Sequence, residues 1–155
     1  MLTDVEERRQ AVYRAEVASG VAIMRPLASI HDAQTYADHI LKQRYWRNLS
    51  AVRRATLAYI PSWEMESECG AEHGSADVAL TIGGLCEGTL LHELAHCARR
   101  DMDNGHRGPF LRLQFRLIEM ETAAWRDVML PKYAQELLAR ELVTGRETWL
   151  KPWLG

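Results

Sequence analysis

The stretch Leu90–Phe110, LLHELAHCARRDMDNGHRGPF, holds three of the chain's six histidines within fifteen residues. On a helix advancing about 100° per residue, His96 falls about 40° round from His92 and one turn further on. Two imidazoles so placed can take neighbouring positions around one tetrahedral zinc ion. Glu93 lies about 100° from His92, too far round to join them as a ligand but close enough to accept a proton from water at the metal. Leu90, Leu91, Leu94, Ala95 and Ala98 make an apolar stripe, so the histidines are expected to face away from the core.

A catalytic zinc normally takes three protein ligands and leaves one position open. Two residues compete for the third place. His106 follows the polar loop DMDNG, which can fold the chain back over the helix, and Phe110 can anchor the next helix while the imidazole points back. Glu121, in ETAA, is the alternative third ligand, a carboxylate presented by a second helix; otherwise it accepts a ligand histidine's N–H. The tighter HExxHxxGxxH pattern is excluded, because Arg99 and Met102 occupy the places of its glycine and third histidine. Mg²⁺ and Ca²⁺ do not suit a set led by imidazoles, whereas Zn²⁺, Mn²⁺, Fe²⁺ and Co²⁺ do.

The elements that must position these groups read as follows. Thr3 and Glu6 form a capping box that opens a helix to about Ala18, stopped by Gly20. Ser29–Asp32 starts a second helix, Ile30 to about Arg47. Residues 55–60, ATLAYI, read as a strand stopped by Pro61, and the polar run SWEMESECGAEHGS reads as a loop. In ADVALTI, Ala76, Val78, Leu80 and Ile82 alternate with Asp77, Ala79 and Thr81, a half-buried strand. Gly83-Gly84 makes a turn into the HELAH helix near Glu87. A further helix runs from about Gly108 to Val128, Pro131 interrupts, and a last one reaches about Val143 with Gly145 as its cap. Helices and strands are segregated, so the class is α+β, in a single domain over residues 1–155.

Totals narrow the function classes. The formal charge of −2 gives no whole-molecule field toward nucleic acid or an anionic membrane. The N-terminus MLTDVEERRQ lacks the apolar core of a secretion signal, and apolar runs fall short of the ~20 residues of a spanning helix. A soluble, cytoplasmic protein with no membrane partner is expected; the oligomeric state is not legible. Three cysteines, Cys69, Cys86 and Cys97, are an odd number at irregular spacing, which argues against a disulfide framework.

Smaller features carry weaker readings. Cys86, six residues before His92, would stand ~9 Å from it along the axis if already helical and so could not share an ion with it, and Cys97 reads as packed. Cys69 with His73 would be half of a structural zinc site lacking its other pair. His31 and His39 read as ordinary surface or core histidines. Arg112, Arg116, Tyr133 and His73 are available as a second electrophile, with nothing to choose among them. Residues 42–54, KQRYWRNLSAVRR, hold five basic residues and no acid. Weak DNA contact through this run, with Tyr45 or Trp46 stacking a base, competes with a solvated, partly packed face. The tail RETWLKPWLG reads as two indoles docking onto the domain or a twin chain.

HELAH, the loop after it and the HRGPF box resemble the SprT-like minimal zincin metallopeptidases, over roughly residues 50–125. The chain looks closest to the small metallohydrolases of actinobacteria and their phages. That resemblance implies a minimal zincin fold, a small sheet packed on the HExxH helix with flanking helices. It implies His92, His96 and His106 as zinc ligands, Glu93 as general base, and a peptide or protein as substrate. It also implies an open strand edge before the active helix, a place that ADVALTI would fill.

Two function classes follow. One is a zinc-dependent hydrolase, cleaving a peptide or another amide by metal-activated water. The alternative is a metal-binding regulatory or DNA/protein-binding module without hydrolytic activity. Holding a metal requires only the histidines, whereas hydrolysis requires a base; Glu93 therefore favours the enzyme.

Overall fold

The computed structural model describes residues 4–60, 74–81, 85–98 and 105–155, together with the backbone of 68–72. Its contacts divide the chain into two compact units, Ile23–Asp101 and Met1–Ala22 with Met102–Gly155. Helices and a small sheet are segregated in it, as expected for α+β.

The first unit carries the sheet. α2 (Ile30–Lys42) begins where the sequence places it, with Ser29 Oγ accepting from the Asp32 N–H. It stops early, however. Gln43 turns extended (φ −68°, ψ 143°) and serves as the end of α2 and the start of α3 (Arg44–Leu49), so the expected helix to Arg47 is two helices. Burial supplies the reason: Trp46 is completely enclosed and its indole N–H donates to the Val52 carbonyl at 2.8 Å. A straight helix obeys its own register, and the break lets α3 set its own.

β1 (Arg54–Ile60), β2 (Glu68–Glu72) and β3 (Ser75–Thr81) form one sheet in the order β1-β3-β2. β3 runs parallel to β1, pairing Leu57 with Val78, and antiparallel to β2, pairing Cys69 with Val78. Ala76, Val78 and Leu80 of β3 are buried, as the alternation requires. The expectation that ADVALTI offers the open edge is overturned, because β3 is the central strand and both its sides are paired. The segment read as a polar loop supplies the missing neighbour, β2. Small and polar residues can pair their backbone without contributing an apolar stripe, so strand periodicity does not reveal them.

β1 has a substitute for a fourth strand along part of its outer side. The Gln34 carboxamide donates to the Ala55 carbonyl at 2.7 Å and accepts from the Leu57 N–H at 2.9 Å. It therefore makes the pair of bonds that a neighbouring peptide group would make. α2 packs on β1, and α4 (Glu87–Ala98) packs on β2 and β3.

The second unit is helical: α1 (Asp4–Ser19), α5 (Gly108–Glu121) and α6 (Arg126–Ala139), with α6 touching both other helices. Gly20, at φ +91°, ends α1 as expected. α5 ends sooner than Val128, because the Thr122 hydroxyl donates to the Ile118 carbonyl at 2.6 Å and the chain turns there. Pro131, read as an interruption, lies inside α6. It forgoes one bond to the Asp127 carbonyl, which the buried stripe Leu130, Tyr133, Ala134 and Leu137 offsets. The end of α6 is also displaced from Gly145: Glu141 takes the left-handed conformation at φ 58°. In the tail, the Trp149 ring meets Phe115 edge-on at 5.1 Å and Leu150 is fully buried, so at least one indole docks as expected. Among the described residues, no helix is long and apolar enough to cross a membrane.

Candidate metal centre

α4 begins where the sequence says, but it is more deeply set than an amphipathic reading implies. Leu90, Leu91, Leu94 and Ala95 are buried, and so are His92, Glu93 and Cys97. The histidines therefore do not face away from the core; of the pair, only His96 retains partial exposure. The helix is fixed at its start. The Glu87 N–H donates to the Arg25 carbonyl at 3.0 Å, and the Leu27 N–H donates to the Leu85 carbonyl at 3.0 Å. The buried Glu87 carboxylate lies 3.5 Å from Arg25, whose guanidinium also covers the Tyr36 ring.

On this fixed helix the Nε2 atoms of His92 and His96 stand 3.2 Å apart, their ring planes inclined at 65°. Zinc–nitrogen bonds of ~2.05 Å at the tetrahedral angle put two ligand nitrogens ~3.3 Å apart. The separation thus matches one edge of such a site before any adjustment. Glu93 is 4% exposed and lies between them in sequence. Burial on that scale is costly for a carboxylate with no charged or hydrogen-bonded counterpart, and Glu93 does have an interaction.

His106 belongs to the helical unit. Its imidazole is buried between two rings: Tyr13 at 5.4 Å and Phe110 at 5.0 Å, both edge-on. Phe110 is buried in the first turn of α5, where the HRGPF reading has it anchor that helix. Gly105 precedes it at φ +73°, and Arg107, extended, precedes the first turn of α5 with Pro109 placed where a missing N–H is harmless. Glu121 is the last residue of α5 and half-buried. His106 and Glu121 therefore lie at opposite ends of one helix of fourteen residues, ~20 Å at 1.5 Å rise per residue. They cannot serve the same ion together.

Compared with known proteins, the chain matches no family model, no curated protein and no solved structure. Its chemistry is read from its own residues.

The remaining candidates separate clearly. Tyr133 is fully buried, its hydroxyl donating to Gln114 Oε1 at 2.7 Å, so it is a core group and no electrophile. Arg116 faces solvent beside Glu119, and Arg112 is exposed. His31 and His39 are exposed. His73 and the side chain of Cys69 lie outside the described residues. Cys86 is buried and outside any disulfide, its thiol 3.4 Å from the Thr89 hydroxyl. Cys97 is buried, as its packed reading expects, and disulfide-bonded; an odd count argues against a framework but allows one bridge. In residues 42–54, complete burial removes Trp46 as a stacking surface, while Lys42, Arg44, Arg47, Arg53 and Arg54 are exposed.

Two contacts around His106 have no local sequence signal. Arg8 Nε donates to the His106 carbonyl at 2.7 Å, and its Nη2 donates to the Leu142 carbonyl at 2.9 Å. Tyr13, on the same helix, walls the imidazole. Only partners about a hundred residues away reveal either role.

Proposed function

We propose that the chain is a zinc-dependent hydrolase, a metallopeptidase of the minimal zincin, SprT-like kind, with His92, His96 and His106 as metal ligands and Glu93 as general base. The observation that carries this reading is the His92–His96 pair, whose Nε2 separation of 3.2 Å on a buried turn suits one tetrahedral ion. Each of the three histidines offers a ring nitrogen, two of them from buried side chains and His96 from a partly exposed one. His106 is preferred to Glu121 because its ring is enclosed and oriented, whereas Glu121 is half-exposed at the far end of α5.

Bound zinc would supply an acidified water and a Lewis acid for the scissile carbonyl. Glu93 receives the proton that the attacking water loses and delivers it to the leaving amine nitrogen. His92 and His96, fixed by the anchored start of α4, hold their ring nitrogens in place without reorganisation. An extended peptide substrate would pair along β2, which among the described residues is the edge strand on the side of the sheet away from the Gln34 carboxamide.

Elemental analysis of protein purified without added metal tests the ligand set, with wild type run beside His106→Ala and Glu121→Ala. One zinc per chain, lost in His106→Ala and kept in Glu121→Ala, is the expected result. Loss only in Glu121→Ala replaces the three-histidine set with a carboxylate one. Wild type that takes up no metal when zinc is offered ends the hydrolase reading in favour of a binding module.

A further inference from the structure

The His106 carbonyl sits where the chain has no regular structure to hold it. Residues 105–107 precede α5, whose first backbone bond of this kind runs from the Leu111 N–H to the Arg107 carbonyl. A peptide group placed just before a helix is free to rotate unless something outside the helix grips it. Arg8 grips it. Its Nε donates to that carbonyl at 2.7 Å and its Nη2 to the Leu142 carbonyl at 2.9 Å, joining α1, the entry to α5 and the exit from α6.

A guanidinium is suited to this because its donors are held in one rigid plane, so two acceptors fix its orientation and their own. Burial, and then the like charge of Arg107, lower its pKa, with Glu147 acting in the opposite sense. Arg8 thus keeps its place against repulsion from a residue next to His106. Five residues along the same helix, Tyr13 contacts the His106 ring edge-on at an interplanar angle of 75°. One helix therefore holds both the backbone and the ring of the same histidine.

We propose that Arg8 is a positioning residue for the metal centre, fixing the His106 peptide so that the imidazole is presented in one orientation. This rests on His106 being a ligand. An arginine that only joined helices would contribute to stability without altering how a metal is held, and the two roles separate experimentally.

The experiment measures zinc affinity by chelator competition and the visible spectrum of the Co²⁺-substituted full chain. Wild type, Arg8→Gln, Arg8→Lys and His106→Ala are compared, each with a urea unfolding curve without metal. Outer groups that orient a ligand typically change metal affinity about 10–100-fold when removed. Arg8→Gln is expected to weaken zinc within that range and to shift the Co²⁺ bands, and Arg8→Lys, keeping a cationic donor group, to recover part of both. Unchanged affinity and bands beside a reduced unfolding midpoint would overturn the positioning role and leave a structural tie. If Arg8→Gln does not fold, Arg8→Lys against wild type decides by the same two readouts. His106→Ala binding zinc as wild type does would instead remove the ligand assignment itself, and the positioning role with it.

Discussion

The Nε2 atoms of His92 and His96 stand 3.2 Å apart across one turn of α4, with Glu93 buried beside them. A ligand that binds only the folded state raises its stability by RT ln(1 + [L]/Kd), about 2.7 kcal/mol at a hundredfold excess over Kd. Zinc at such excess is therefore expected to raise the wild-type melting temperature by several degrees and to leave His96→Ala unmoved. Glu93→Gln removes the proposed base but neither imidazole. It is expected to retain the zinc-induced shift while losing amide hydrolysis. Calorimetry with and without zinc checks the first expectation; a shift that persists in His96→Ala would place the metal elsewhere.

Gln34 covers part of β1's outer edge with a single side chain. Gln34→Ala leaves the Ala55 carbonyl and the Leu57 N–H to find water or remain unpaired, and each lost bond at a partly buried site costs about 1 kcal/mol or more. A destabilisation of about 2 kcal/mol in urea is expected. Hydrogen exchange supplies the local readout: the Leu57 amide is expected to lose protection well before that of Val78 in the central strand. Gln34→Glu can still accept from Leu57 but cannot donate to Ala55, and is expected to fall between wild type and alanine.

The difference between what the sequence shows and what it hides follows the range of the interactions. The HELAH helix, the Ser29 cap, the Gly20 stop and the alternation in β3 are governed by neighbours within a few residues, and each is where local chemistry puts it. The break at Gln43 has no glycine or proline; it exists because Trp46 needs a partner at Val52 and a place in the core. The central position of β3 depends on β2, whose ECGAE sequence carries no apolar stripe. At the candidate site, the two histidines one turn apart with Glu93 between them follow from the spacing HELAH on one helix. Arg8 and Tyr13 follow from no spacing, since their partner lies about a hundred residues away and no local pattern announces it.

The exit from α6 offers a stabilising change. The Leu142 N–H reaches the Leu137 carbonyl at 2.9 Å and the Glu141 N–H the Leu138 carbonyl at 3.0 Å, a pattern that places Glu141 in the left-handed region. A residue with a Cβ pays about 1–2 kcal/mol there, partly offset by the greater freedom glycine has when unfolded. Glu141 is exposed, so little packing is lost on replacing it. Glu141→Gly is expected to raise stability by up to about 1 kcal/mol, read as a later urea midpoint at unchanged slope. Gly145→Ala, at a glycine without positive φ, is expected to be nearly neutral.

Tyr133 makes the stability of the helical unit depend on pH in the alkaline range. Its hydroxyl donates to Gln114 Oε1 at 2.7 Å, and Gln114 Nε2 donates in turn to Glu16 Oε2 at 2.9 Å, all three residues being buried. Burial first, and then the charge of Glu16, hold the phenol well above its ordinary value. The folded protein therefore keeps a proton that the unfolded chain gives up near pH 10. Stability from this group is complete below that pH and declines as the pH rises toward the folded-state value, at a slope of up to about 1.4 kcal/mol per unit. Tyr133→Phe leaves the Gln114 acceptor unpaired, so it is expected to be less stable near neutrality by about 1–2 kcal/mol. Its curve is expected to be flatter above pH 10, narrowing the gap to wild type as the pH rises. Urea unfolding of both proteins at pH 8, 10 and 11 measures that gap, and a gap that stays constant would mean the phenol is not what titrates.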